Sequence, residues 1–135
     1  MADDTLFARI GGQIWFDALI DRFYAQVELD PVLRPLYPDD LEPGKRHLAL
    51  FLGQYWGGPQ TYSELRGHPR LRARHLPFTI GQAERDAWID HMMTALHEVE
   101  ASTGALDPED REALTTYLRD TASFLVNQGP LTLRP

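Results

Sequence analysis

Five histidines, His47, His68, His75, His91 and His97, are the side chains best suited to ligate a metal or move a proton near neutral pH. No two of them stand four residues apart and no His-Glu-x-x-His occurs, so a zinc site built from histidine is not expected. The chain has no cysteine, which removes disulfides, thiolate metal sites and thiol nucleophiles. Ser63, Ser102 and Ser123 lack a G-x-S-x-G elbow. Gly11-Gly12 and Gly57-Gly58 lack phosphate-loop spacing and read as helix breakers. The acid pairs Asp39-Asp40 and Glu109-Asp110 fall at turns and helix starts, where the helix dipole accounts for them.

The histidines differ in setting. His97, beside Glu98 and Glu100, reads as part of a solvated helix face, and His91 as an exposed or rim residue. His68 precedes Pro69, which holds its backbone extended and suits it to capping a loop. His75 sits between an arginine-rich run and Leu76-Pro77-Phe78; a structural role and axial ligation both stay open on these residues alone. Arg66, Arg70, Arg72 and Arg74 lie within nine residues of one another with no acid between them. They form an anion-attracting patch, or a solvated loop, on a chain of net charge −7. That overall charge repels a phosphate backbone, so no nucleic-acid partner is expected.

The elements that position these residues read as helices throughout. Leu6, Phe7 and Ile10 form a short apolar face ended by Gly11-Gly12. Trp15, Phe16, Leu19, Ile20, Phe23, Tyr24 and Val27 recur at helical spacing from Gln13 to about Leu29, and Pro31 stops the run. Pro35 and Pro38 leave room for one turn, and a helix from about Pro43-Gly44 buries Leu48, Phe51, Leu52 and Tyr55. Three glycines and two prolines predict a long ordered loop over 57–69, followed by a helical turn over Leu71–Leu76. Thr79 and Gln82 predict a capping box for a helix reaching about Ala101, with Trp88, Met92, Ala95, Leu96 and Val99 inward. Asp107-Pro108 opens a last helix that buries Leu114, Tyr117, Leu118, Ala122, Leu125 and Val126 and ends near Gly129. The chain is expected to be one all-α domain over 1–128 with a loose tail over 129–135. Its acidic first residues and the shortness of its apolar runs, against the roughly 20 residues a span needs, predict a soluble, cytoplasmic protein with no membrane span.

The run Phe51-Leu52-Gly53-Gln54-Tyr55-Trp56-Gly57-Gly58-Pro59, then Tyr62, then Gly67-His68-Pro69-Arg70-Leu71-Arg72-Ala73-Arg74-His75-Leu76-Pro77-Phe78, resembles the group II truncated haemoglobins. Arg22-Phe23-Tyr24, Leu36-Tyr37-Pro38, Ala87-Trp88 and Leu125-Val126-Asn127 match too, so the resemblance covers roughly Leu6 to Gln128. It implies a truncated globin fold, a two-over-two α-helical sandwich enclosing haem b (iron protoporphyrin IX). It implies His75 as the proximal ligand of a pentacoordinate ferrous iron. Tyr24, Tyr37 and Trp88 match the family's distal polar positions, with Leu48 and Leu52 as the apolar wall. Without the resemblance, the three aromatics read as core residues at helical spacing. Gly44 matches the distal gate, where it offers no side chain and widens the entrance. Tyr62 matches a propionate-binding residue. His47 stands where relatives carry arginine or lysine, which puts that contact in doubt or makes it pH-dependent, and Arg74 is a further propionate candidate.

The function this implies is reversible binding of dioxygen, with carbon monoxide and nitric oxide as further ligands. Two alternatives differ in class. One is a haem oxidoreductase of peroxidase or nitric oxide dioxygenase type, which needs an external reductase because the chain has no flavin or nicotinamide domain. The other is a non-haem globin-fold sensor or interaction module, which would purify colourless. Trp15 and Trp56 read either as core or as exposed anchors of a homodimer.

Overall fold

The computed structural model describes residues 5–75 and 78–127. Leu76, Pro77, Gln128 and the tail expected over 129–135 lie outside the described residues, so the expected domain limit and tail are not addressed by it. Among the described residues there is no strand. The helices are α1 (Leu6–Ile10), α2 (Gln13–Val27), α3 (Glu42–Tyr55), α4 (Thr61–Arg66), α5 (Leu71–His75), α6 (Gln82–Thr103) and α7 (Pro108–Phe124). A single 3-10 turn, Arg34–Leu36, lies between α2 and α3. None of these helices is long and apolar enough to cross a membrane.

The apolar stripe read from α2 is the centre of the core. Trp15, Phe16, Leu19, Ile20, Phe23, Tyr24 and Val27 are all buried, as helical spacing requires of one face. They pack against α3 on one side and α6 on the other, and α6 packs on α7. Met92, Ala95 and Val99 of α6 and Leu114 and Leu118 of α7 complete the core. Trp15 is only 4% exposed, so it is core and no dimer anchor.

Three expectations are corrected. The 57–69 segment is not all loop, because α4 occupies Thr61–Arg66. Its glycines and prolines lie outside that stretch, at 57–59, 67 and 69. Gln54 fastens α4 to α3 by donating to the Ser63 hydroxyl at 2.7 Å and accepting from the Ser63 amide at 3.0 Å. The start of α6 falls at Gln82, where the Glu84 carboxylate accepts from the Gly81 amide at 2.8 Å in place of the expected Thr79–Gln82 box. α7 ends at Phe124, short of Gly129, because Asn127 turns back to exchange hydrogen bonds with the backbone of Ile80.

The corner after α3 depends on close approach. Gly58 donates to the Gly53 carbonyl at 2.8 Å, and a Cβ on Gly58 would lie 2.8 Å from that oxygen and 2.5 Å from the Phe7 ring. One obstacle is backbone, so a side chain has nowhere to go. Gly58→Ala is expected to destabilise the fold by about 1–3 kcal/mol, lowering the midpoint of a thermal melt by several degrees.

Candidate functional site

Chain geometry brings nearly all the sequence-selected residues to one cavity of about 330 Å³. Tyr24 reaches it from α2, Tyr37 from just after the 3-10 turn, and His47, Leu48 and Leu52 from α3. Tyr62 comes from α4, Arg74 and His75 from α5, and Trp88 from α6. Gly44 is not on its wall. Apolar side chains that single-residue chemistry had not singled out make much of the remainder, among them Leu33, Leu36, Phe51, Leu71, Ile80 and Leu118. The i, i+3, i+4 relation of Phe51 to His47 and Leu48 was the available signal for one of them.

His75 is the last residue of α5, and its ring is oriented within that single turn. Its Nδ1 lies 2.6 Å from the Leu71 carbonyl oxygen, an acceptor only, so Nδ1 carries the proton and donates. In the neutral ring the Nε2 lone pair is thereby left for a metal. The turn itself is fastened from both sides. Arg74 donates from Nε to the Pro69 carbonyl at 2.7 Å and from Nη2 to that of Arg66 at 3.2 Å. Asn127, following α7, donates from Nδ2 to the carbonyls of His75 at 3.3 Å and Phe78 at 2.9 Å. Asn127 is a site-building residue to which the sequence assigned no role. His68 caps the preceding loop as expected, Nδ1 accepting from the Arg70 amide at 3.1 Å.

Tyr24, Tyr37 and Trp88 form a second cluster. The two phenol rings meet edge to face at 5.6 Å, and Trp88 meets Phe23 in the same manner at 5.4 Å. Burial pushes the Tyr24 hydroxyl up to about 12. Tyr37 is raised further, by burial first and by Tyr24 second, while the Trp88 indole N–H opposes the rise. Both phenols therefore stay protonated donors throughout the physiological range. Gly44 matters through this cluster: a Cβ there would stand 2.9 Å from the Tyr24 hydroxyl oxygen. The expected widening of the entrance is thus offset, because the Tyr24 phenol occupies the space a side chain at 44 would fill.

Cations gather around His47. Burial depresses its proton affinity below the ordinary histidine value, and Arg66, Arg46 and Arg74 depress it further in that order. Glu84 is the only acid on the cavity wall among the described residues, and it is engaged at the start of α6. Tyr62 is buried against Phe51, with ring centroids 5.4 Å apart. His91, expected on an exposed rim, is instead half-buried and bonded through both ring nitrogens. An oriented imidazole, a set of buried or partly buried O–H and N–H donors, apolar walls and a cationic margin together suit a flat, apolar, metal-centred group with anionic substituents.

Residues 5–124 match the family of bacterial-like globins. The chain is 44% identical to the group 2 truncated haemoglobin YjbI of Bacillus subtilis over 87% of its own length and 85% of that protein's. The crystal structure of a haemoglobin from the thermophilic phototroph Chloroflexus aurantiacus superposes with a TM-score of 0.86 at 53% identity, covering 92% of this chain and 98% of that one. The truncated, oxygen-avid haemoglobin of Bacillus subtilis superposes at 0.83 with 41% identity, covering 92% of this chain and all of the other.

The charge pattern at His47 has a direct consequence in solution. Arg66→Ala is expected to raise the midpoint of the His47 titration toward its ordinary value, because a cation that opposes the imidazolium is gone. Histidine ring resonances followed by NMR against pH would report the direction.

Proposed function

The chain belongs to the bacterial-like globins, as a group II truncated haemoglobin, and from that footing we propose that it binds dioxygen reversibly at one haem b held by His75. The observation that carries this reading is the 2.6 Å bond from His75 Nδ1 to the Leu71 carbonyl, which presets the ring for ligation through Nε2. The residues present fit the group the family implies: the cavity walls are mainly apolar, and its margin is cationic. When bound, haem would supply an iron able to take up a diatomic gas.

The protein's contribution is to position and polarise. Trp88 only donates, so it favours a ligand that gathers negative charge, and the Tyr24 and Tyr37 hydroxyls add to that field. Leu48 and Leu52 keep the surroundings apolar, which strengthens each donor by lowering the local dielectric. Around the margin, His47, Tyr62 and Arg74 suit the two haem carboxylates. Arg74 has already committed Nε and Nη2 to backbone carbonyls, so in this reading it acts as a fixed local charge. The oxygen-avid character of the Bacillus subtilis relative supports dioxygen as the ligand, with carbon monoxide and nitric oxide as further gases that globins take.

Absorption spectra of the oxidised, reduced and carbon monoxide-treated protein test the assignment. His75→Ala is expected to lose or misplace haem, read as a collapsed or shifted Soret band, with exogenous imidazole restoring it. An unaltered band and unaltered gas binding in that variant would overturn the reading. Trp88→Phe, which deletes a donor, is expected to speed oxygen release about tenfold, the equivalent of about 1.4 kcal/mol, in stopped-flow measurements.

A further inference from the structure

We infer that His91 and Asp30 are positioning residues for the gas-binding pocket, an ionic clamp that holds the Tyr37-bearing segment against α6. The inference rests on the gas-binding reading above for its functional consequence, and on side-chain geometry for the clamp itself.

His91 lies on α6 three residues beyond Trp88, so both project from neighbouring positions on one helix. Its Nε2 meets the Asp30 carboxylate at 2.5 Å, with the two side chains only 22% and 10% exposed. Its Nδ1 faces the Gln26 amide oxygen of α2 at 3.1 Å. The orientation of that amide is fixed by its nitrogen, which donates to the carbonyls of His91 at 3.0 Å and Arg22 at 3.3 Å. Both ring nitrogens thus face acceptors, and only the doubly protonated imidazolium satisfies both. Arg22, the nearby cation of α2, is paired with Glu98 at 3.8 Å.

Asp30 passes the constraint on to the pocket. Its other carboxylate oxygen accepts from the Val32 amide at 2.7 Å, and its carbonyl accepts from the Arg34 amide at 2.8 Å, which closes the start of the connection. Arg34 closes the end, donating to the carbonyls of Tyr37, Pro38 and Asp39 at 3.0–3.2 Å. The connection is therefore a stiff unit, pinned to α6 outside by His91–Asp30 and inside by the contact of Tyr37 with Trp88. The hydrogen bond from His91 and those from the backbone hold the Asp30 carboxyl below the usual carboxylate range. Removing either partner leaves the other facing an unmatched polar group and loosens the outer pin.

The test uses haem-loaded protein with the single variants Asp30→Asn and His91→Gln and the double variant. Oxygen release is expected to quicken about threefold in each single variant relative to the native protein, and the two single effects should not add in the double variant. Amide hydrogen exchange over residues 31–37 should rise in both single variants, and this readout is independent of gas binding. The clamp is overturned if variants with a native Soret band keep the native release rate and exchange. A native protein without a Soret band would overturn the gas-binding reading instead, and exchange alone would then decide the clamp. If His91→Gln does not fold, Asp30→Asn decides by the same criteria.

Discussion

One hydrogen bond underlies the proposed haem site: the proton on His75 Nδ1 is committed to the Leu71 carbonyl. A histidine on a five-residue helix has little intrinsic order, since so short a helix pays for nucleation without many propagating bonds. Order is imported instead. Arg74 ties the turn to the carbonyls before it, and Asn127 ties the turn to the chain that follows α7. The imidazole proposed as the iron ligand is therefore held by contacts reaching from residue 66 to residue 127. An orientation built this way would leave little reorganisation for metal binding, the general advantage of a ligand fixed beforehand by its own hydrogen bond.

Around that centre the protein separates its two electrical tasks. The phenols and the partly buried indole are neutral donors, while the charges sit at the margin near His47, Arg66 and Arg74. Neutral donors can be buried at modest cost provided they find partners, whereas isolated cations cannot. That difference explains why the aromatics crowd one another in the interior and the arginines keep to the edge of a protein whose net charge is −7.

Much of this was legible in the sequence, for definite reasons. The α2 stripe repeats so regularly that all seven of its inward residues could be named, and proline and glycine marked most helix ends. The short α4 was not legible, because counting breakers over 57–69 blurred six residues that contain none. Ile89 was missed because α6 packs on both α2 and α7 and so carries apolar groups around more than one face. The spacing of Leu48, Leu52, Tyr62 and His75 located the cavity through the family pattern, whereas the roles of Asn127 and Asp30 depend on partners 52 and 61 residues away. No local rule reports such pairings. His91 reads as a rim residue from the sequence because its partners, Asp30 and Gln26, come from elsewhere in the chain.

Gly44 illustrates how a residue with nothing to contribute chemically still governs a pocket. Its missing methyl group is the berth of the Tyr24 hydroxyl, so residue volume at 44 and phenol position are two descriptions of one variable. Because the crowded atom is the far end of a side chain, added bulk there displaces a donor without breaking the backbone. Position 44 is accordingly a steric dial: successive homologues of increasing size would walk the Tyr24 oxygen away by graded steps while the helix beneath stays as it is.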